Sequence, residues 1–257
     1  MRKSNILSSE QAKVLFVFTS ALMFALRFCA HFIEKNLGLK PVAILLISAV
    51  LACIGLNLVS GVTSFVGAML ALTVYGVGKT FFWPTMLAVA SDRFPRSGAI
   101  AISFMGGIGM LSAGLLGSAG LGYCKDRFSG EALQNANAVA YAEYKSEKTS
   151  KFLIFADATG IDAKKSGAVQ EKLLAARKAT TENAGAEDSG AAINSLTATE
   201  RAVHEAGIAG DRKTLVADSA IPATMAVIYL MLLVYFQTIG GYKAVSLEST
   251  ERDTLTK

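Results

Sequence analysis

The run VAILLISAVLACIGLNLV (42–59) decides the architecture. It contains no charged residue and no proline. As a helix, residues 42–59 rise about 27 Å at ~1.5 Å per residue, close to the ~30 Å hydrocarbon thickness of a bilayer. No alternation of apolar and polar residues suggests a strand. Every backbone polar group in lipid must be paired internally, so the run reads as a membrane-spanning helix.

Four further runs match it: 14–33 and 62–90 on either side, then 98–123 and 220–239. None contains Asp or Glu. The whole chain of 257 residues is 52% hydrophobic and 18% charged, with a mean hydropathy of +0.43. Soluble domains carry about a quarter charged residues, so a single soluble core is excluded, as are a disordered chain and a small disulfide scaffold. The net charge of +5 does not point to nucleic acid. Residues 124–219 hold 13 basic and 14 acidic side chains, whereas the apolar remainder holds 12 and 6. A polar segment is set into a sparsely charged membrane chain. Cys29, Cys53 and Cys124 show no metal-ligand or disulfide spacing and read as small apolar packing residues.

The expected fold is therefore all-α and polytopic, with five transmembrane helices and a polar insertion. Residues 1–123 carry the first four helices, 124–219 the insertion, and 220–257 the last helix and tail. The first run is a retained helix and not a cleaved signal, because Arg27 and His31 interrupt it and no small-residue cleavage pattern follows. The third is overlong, so it tilts, kinks near Pro84 or projects beyond the membrane. Short connections at 34–41, 60–61 and 91–97 make the first four helices antiparallel neighbours. The insertion has 21 alanines, no proline and a capping box at Thr197 and Glu200. Both a small helical cap and partial disorder fit that composition. Ser219 followed by Pro222 marks the start of the last helix.

Orientation rests on the short segments. Lys35, Lys40, Arg93, Arg96, Lys243, Arg252 and Lys257 fall on one side, against Arg2, Lys3 and Lys13 on the other. By the positive-inside rule the tail is cytoplasmic, while the N-terminus and the long insertion lie outside.

Lys79 is the most informative position. A charge at the bilayer centre costs ~2.5–3.5 kcal/mol or more, so it faces a cavity or a partner. Tyr75, Phe82, Trp83 and Met86 share its helical face. A cation beside aromatic rings suits a polar organic solute, the rings taking its apolar faces and the ammonium its oxygens. The competing reading is a lysine snorkelling to the headgroups within an aromatic belt. Gly78-Lys79-Thr80 is not a phosphate loop, since Thr73 stands where that motif needs glycine and no strand precedes it.

Arg27, His31 and Glu34 share a face near one end of the first helix. Arg27 pairs with a neighbouring carboxylate or takes an anionic solute, and His31 is the sole candidate in a span for proton coupling. A structural charge cluster closing that side is the alternative. In the fourth helix, Gly109, Ala113 and Gly117 form one row of small residues and Gly114, Ser118 and Gly122 another. Such rows let helix backbones approach closely. No Ser-His-Asp, HExxH, paired-carboxylate or zinc pattern lies in or near the spans, so neither an enzyme nor a metal or other cofactor is expected.

The stretch GKTFFWPTMLAVASDRFPRSGAIAISFMGGIGMLSAGLLG (78–117) resembles the C-terminal half of a major facilitator superfamily transporter. A cavity-lining helix ending near proline, the short DRFPRSGA loop and a glycine-rich helix look like helices ten and eleven of that family. EKNLGLKP (34–41) looks like a degenerate copy of its acidic–basic loop between helices eight and nine. Glu34 and Lys35 stand in place of Asp-Arg, Gly38 comes one place late, and Lys40 is the remaining basic residue. The resemblance makes the five spans helices eight to twelve, with 124–219 an enlarged external loop. It implies a secondary transporter of a small polar solute, a sugar or organic anion, working by alternating access in a bacterial inner membrane. Lys79, Tyr75, Phe82, Trp83 and Arg27 would then line the solute path, and His31, Glu34, Arg93 and Arg96 would serve coupling or gating. The family has two six-helix halves. The resemblance therefore also implies a partner, the missing N-terminal half, and a truncated or mis-started reading frame. Membrane lipid and the solute are the other expected partners. A non-transporting membrane protein, whose 124–219 segment is an external binding or scaffold module, is the second expectation.

Overall fold

Long apolar runs without helix-breaking pairs propagate as helix once nucleated, and the computed structural model follows them closely. It describes residues 9–37, 39–184, 189–243 and 245. Among these, all regular structure is helical apart from two isolated bridges. The order is α1 (Ser9–Leu37), α2 (Pro41–Gly61), α3 (Phe65–Arg93), α4 (Gly98–Ser112), a π-helical turn (Ala113–Ser118), α5 (Ala119–Ala136), α6 (Ala138–Tyr144), α7 (Ala163–Ala184), α8 (Ser189–Asn194), α9 (Ala198–Asp218) and α10 (Ala220–Thr238). Five helical stretches are long and apolar enough to cross a membrane, so the chain is a multi-pass membrane protein.

The helices overrun the apolar runs. The fourth continues through the π-turn into α5 as far as Ala136, well inside the polar segment. The last helix begins where expected, at Ala220 just after Ser219, although Ser219 caps it without a side-chain bond. Ser219 holds right-handed helical angles (φ −62°, ψ −16°), and its carbonyl accepts the Ala223 N–H at 3.1 Å. Pro222 is tolerated there because it lies in the first turn of α10, where a missing N–H is least costly. Pro84 lies inside α3, which removes the amide that would bond the Thr80 carbonyl.

The chain divides into two compact units. One comprises Val17–Asn57, Leu70–Leu115 and the residues from Ser219 onward. Here α2 is the most buried helix, covering Val42, Leu45, Ser48, Ala49, Ala52 and Leu56. Its contact with α3 depends on glycine. A methyl group at Gly55 would lie 2.6 Å from the Tyr75 Cα, and one at Gly78 would lie 2.5 Å from the Ala52 amide nitrogen. The rest of this unit turns apolar side chains outward, Phe28, Ile100 and Met110 being 73%, 73% and 78% exposed. In water such a surface would associate; in lipid it is solvated.

The other unit comprises the residues up to Phe16, Leu58–Met69 and Leu116–Asp218. The described part of 124–219 is a helical cap with its own core. Leu133, Ala140, Val203 and Ala206 join α5, α6 and α9, and Val169, Leu173, Ala192 and Leu196 join α7, α8 and the turn before α9. Gly210 lets α9 approach the Ser129 backbone. The caps are built from the sequence: Asn137 accepts from the Val139 and Ala140 amides, Asp162 from those of Lys164 and Lys165. The Thr197–Glu200 capping box forms in both directions, at 2.8 and 3.2 Å.

Candidate functional site

The described candidates for the solute path and for gating fall into three places within the first-described unit. On α3, Gly78 is buried against α2, which turns Lys79 outward, and Thr80 is buried again. The Gly-Lys-Thr string is thus a packing glycine, an exposed cation and a hydroxyl that donates to the Gly76 carbonyl at 2.7 Å. The Lys79 ammonium lies 5.6 Å from the centroid of the Tyr75 ring one turn earlier.

Trp83 turns elsewhere. Its ring lies over Gly109 of α4, where a methyl group would sit 3.2 Å from the indole edge. Trp83 also lines a cavity of about 220 Å³ with Arg27, Thr80, Phe81 and Pro84. The structure therefore joins Arg27 to Trp83 and leaves Lys79, Tyr75 and Phe82 outside that lining. Thr80, Phe81 and Pro84 were not singled out as lining residues. Proline one place after the tryptophan was the signal available, since a helix deprived of one amide leaves room beside it. A cavity lined by an arginine, an indole and a phenyl ring suits a planar anionic or carbonyl-bearing organic group. A guanidinium fork donates two parallel hydrogen bonds while the rings cover the apolar faces.

The third place is the end of the unit where the 91–97 turn lies. Arg93 donates to the Lys243 carbonyl at 3.2 Å and lies 5.1 Å from the Phe236 ring. Tyr242 donates to the Asp92 carboxylate at 3.0 Å, and the Val245 amide donates to the Asp92 carbonyl at 2.9 Å. Gly240 and Gly241, at φ +91° and +94°, reverse the chain after α10 to make these contacts. The Lys40 ammonium lies beside Gly241. The structure thus gathers the 34–41 connection, the 91–97 turn and the tail at one end. Burial first, then the bond to Asp92 and its negative charge, hold the Tyr242 phenol well above the usual tyrosine range. Sequence reading grouped these segments by charge but missed Asp92 and Tyr242, whose pairing spans 150 residues.

Arg96 is exposed on the turn. The side chains of His31 and Glu34 lie outside the described residues, as does Gly38. In the row Gly109, Ala113 and Gly117, the Trp83 ring takes up the first position. Ala113 opens the π-turn, whose wider winding breaks the four-residue spacing on which the row was drawn. Gly114 and Gly122 of the second row face open space. Among the described residues, no group of three or more His, Cys, Asp or Glu is placed to hold a metal ion. Comparison with family models, with curated proteins and with solved structures finds no match for this chain.

Proposed function

We propose that this chain acts as the C-terminal portion of a secondary transporter of the major facilitator type, in a bacterial inner membrane, moving a small polar solute by alternating access. The observation that carries this reading is the pocket that Arg27 lines together with Trp83 and Pro84, the latter two within the 78–117 stretch that resembles the family. A cation within a span is costly unless it meets a ligand or a partner, and a sugar or organic anion meets that need. Lys79 of α3, beside the Tyr75 ring and outside that lining, supplies a second cation to the solute path. The α4 surface has no buried residue, and methyl groups at Gly106 and Gly107 would meet nothing within 4 Å. That leaves room for further helices to pack closely, as a two-half transporter requires. Alanine at Lys79, tested in cells making the full-length protein, is expected to abolish uptake while the amount in the membrane stays constant. Normal uptake by that variant removes Lys79 from the solute path. The coding DNA upstream of Met1 tests the larger reading, which expects an open frame with about seven more apolar spans to complete the two six-helix halves.

One observation favours the second reading, a membrane-tethered binding module. The cap holds a cavity of about 440 Å³ whose lining includes Asp126, Ser129, Gln170, His204 and Asp211, with the Lys125–Asp211 ion pair (3.0 Å) at its edge. Expression of 124–219 alone separates the two. A folded, partner-binding product supports the module, and a disordered peptide favours the transporter.

A further inference from the structure

The cap carries an apolar tip that its own core does not use. Ser150 and Ala158 exchange two backbone hydrogen bonds (2.7 and 3.0 Å), which closes 151–157 into a loop. Within it runs Phe152-Leu153-Ile154-Phe155, four apolar residues in an otherwise polar segment. Phe152 and Phe155 stack at 6.2 Å with an interplanar angle of 8°, and both lie against Tyr123, at 6.0 and 5.9 Å. The Tyr123 hydroxyl donates to the Ala156 carbonyl at 2.7 Å. The two rings thus form a base, and the base projects the tip outward. Leu153 is 72% exposed and Ile154 is 96% exposed. Leu153 also occupies the left-handed region, at φ +48°. That conformation favours glycine or asparagine, so a leucine there incurs backbone strain while offering its side chain to the surroundings.

The position of the loop identifies those surroundings. The Phe152 ring lies 3.1 Å from where a methyl group at Gly120 would sit. Gly120 and Tyr123 belong to the last turns of the apolar run 98–123, where Leu116 and Leu121 are 51% and 43% exposed. The tip and the exposed surface of a membrane span are therefore continuous. At the neck of the loop, Lys151 and Asp157 form an ion pair at 2.9 Å, with Lys151 72% exposed on its side chain. Charges at the neck and aliphatic residues at the tip match the polarity gradient across a headgroup region.

We propose that 151–157 is a membrane-interface anchor. Leu153 and Ile154 enter the boundary between headgroups and acyl chains, the phenylalanine pair rests against the span, and the Lys151–Asp157 pair sits among the headgroups. The bilayer is the occupant because the tip adjoins surface that is already lipid-facing. The inference requires only that 98–123 spans the membrane; it is independent of transport.

The test uses the full chain in vesicles of phosphatidylcholine and phosphatidylglycerol. Cys29, Cys53 and Cys124 are replaced by alanine, and Ile154→Cys is labelled with an environment-sensitive fluorophore. Glu171→Cys, exposed on α7, is the control. Interfacial groups lie about 5–10 Å into the headgroup–acyl boundary, within reach of a nitroxide on carbon 5 of a lipid chain. The label at 154 is expected to emit at shorter wavelength than that at 171. It should be quenched several-fold more by the nitroxide lipid and several-fold less by aqueous iodide. Leu153→Cys repeats the measurement on the same tip should the first variant fold poorly by circular dichroism. Iodide quenching at 153 and 154 equal to that at 171 overturns the proposal. So does shielding from both quenchers, which would place a second copy or another protein segment over the tip.

Discussion

Substitution of Gly78 by alanine probes the contact that holds α2 against α3. The added methyl would lie 2.5 Å from the Ala52 nitrogen, 2.7 Å from the Ser48 oxygen and 3.0 Å from the Ala52 Cα. Unstrained contacts fall at about 3.5–4.0 Å, so each approach is short by roughly half to one ångström. All three neighbours are backbone, and no rotamer change relieves them. The helices must separate, at an overpacking cost of ~1–3 kcal/mol. Alanine returns up to ~1 kcal/mol in helix propensity. The clash prevails, and the expected net loss is about 1–2 kcal/mol, near a tenfold fall in the folded-to-unfolded ratio. Gly107→Ala is the matched control, since its methyl would meet nothing within 4 Å and only the propensity gain applies. Unfolding in mixed micelles with rising dodecyl sulfate, followed by circular dichroism, reads both. Gly78→Ala should unfold at lower detergent fraction than the parent, and Gly107→Ala at the same or higher. A Gly78→Ala protein as stable as the parent, or an equal loss at both sites, refutes this account of the helix contact.

Three further outcomes are expected. Leu133→Ala empties a fully buried site in the cap and should cost ~2–5 kcal/mol, seen as earlier proteolysis within 124–219 while α2 and α3 stay protected. Tyr242 holds its proton more tightly folded than unfolded, so its share of stability is complete below about pH 10 and is lost only as pH rises through the raised folded value. Absorbance near 295 nm should therefore show a native titration component above that of the unfolded chain; a Tyr242→Phe variant with the same native curve refutes the assignment. Backbone bonds, that from Lys165 foremost, lower the Asp162 carboxyl, so its cap is present above about pH 4 and lost as pH falls through the lowered folded value. Hydrogen exchange at the Lys164 and Lys165 amides should be faster in Asp162→Ala at neutral pH and alike in acid, and equal rates at neutral pH would discount the cap.

What sequence made legible follows from the range of the forces involved. An apolar run identifies a span because its burial in lipid depends on its own composition, and α2 matches its run within two residues at each end. The Thr197–Glu200 box is equally local and forms as read. The helical extension through Ala136 was hidden because the polar residues after Cys124 suggest an end to the span, whereas helix continues wherever nothing breaks it. Glycine gave a mixed signal. The repeat between Gly109 and Gly122 drew notice, yet the closest helix approaches lie at Gly55 and Gly78, because whether a glycine is used depends on which helix faces it. Trp83 was read with Lys79 from helical spacing, but Gly109 and Arg27, which lie far from it in sequence, determine where the indole goes. Asp92 escaped notice for the same reason, as its partners follow 150 or more residues later.

That separation has a consequence for synthesis. The α2–α3 hairpin can close as soon as residue 93 has left the ribosome, since its partners are neighbours in sequence. The tie across the 91–97 turn cannot, because Tyr242 and Val245, which take up the Asp92 carboxylate and carbonyl, do not yet exist. At about 5–20 residues per second, the tie waits roughly 8–30 s with an unpaired acidic side chain at the end of α3. During that interval the headgroups and water, and not the protein, must satisfy it. The final tie is therefore a record of completed translation: a chain released early keeps its first spans and lacks the fastening at this end.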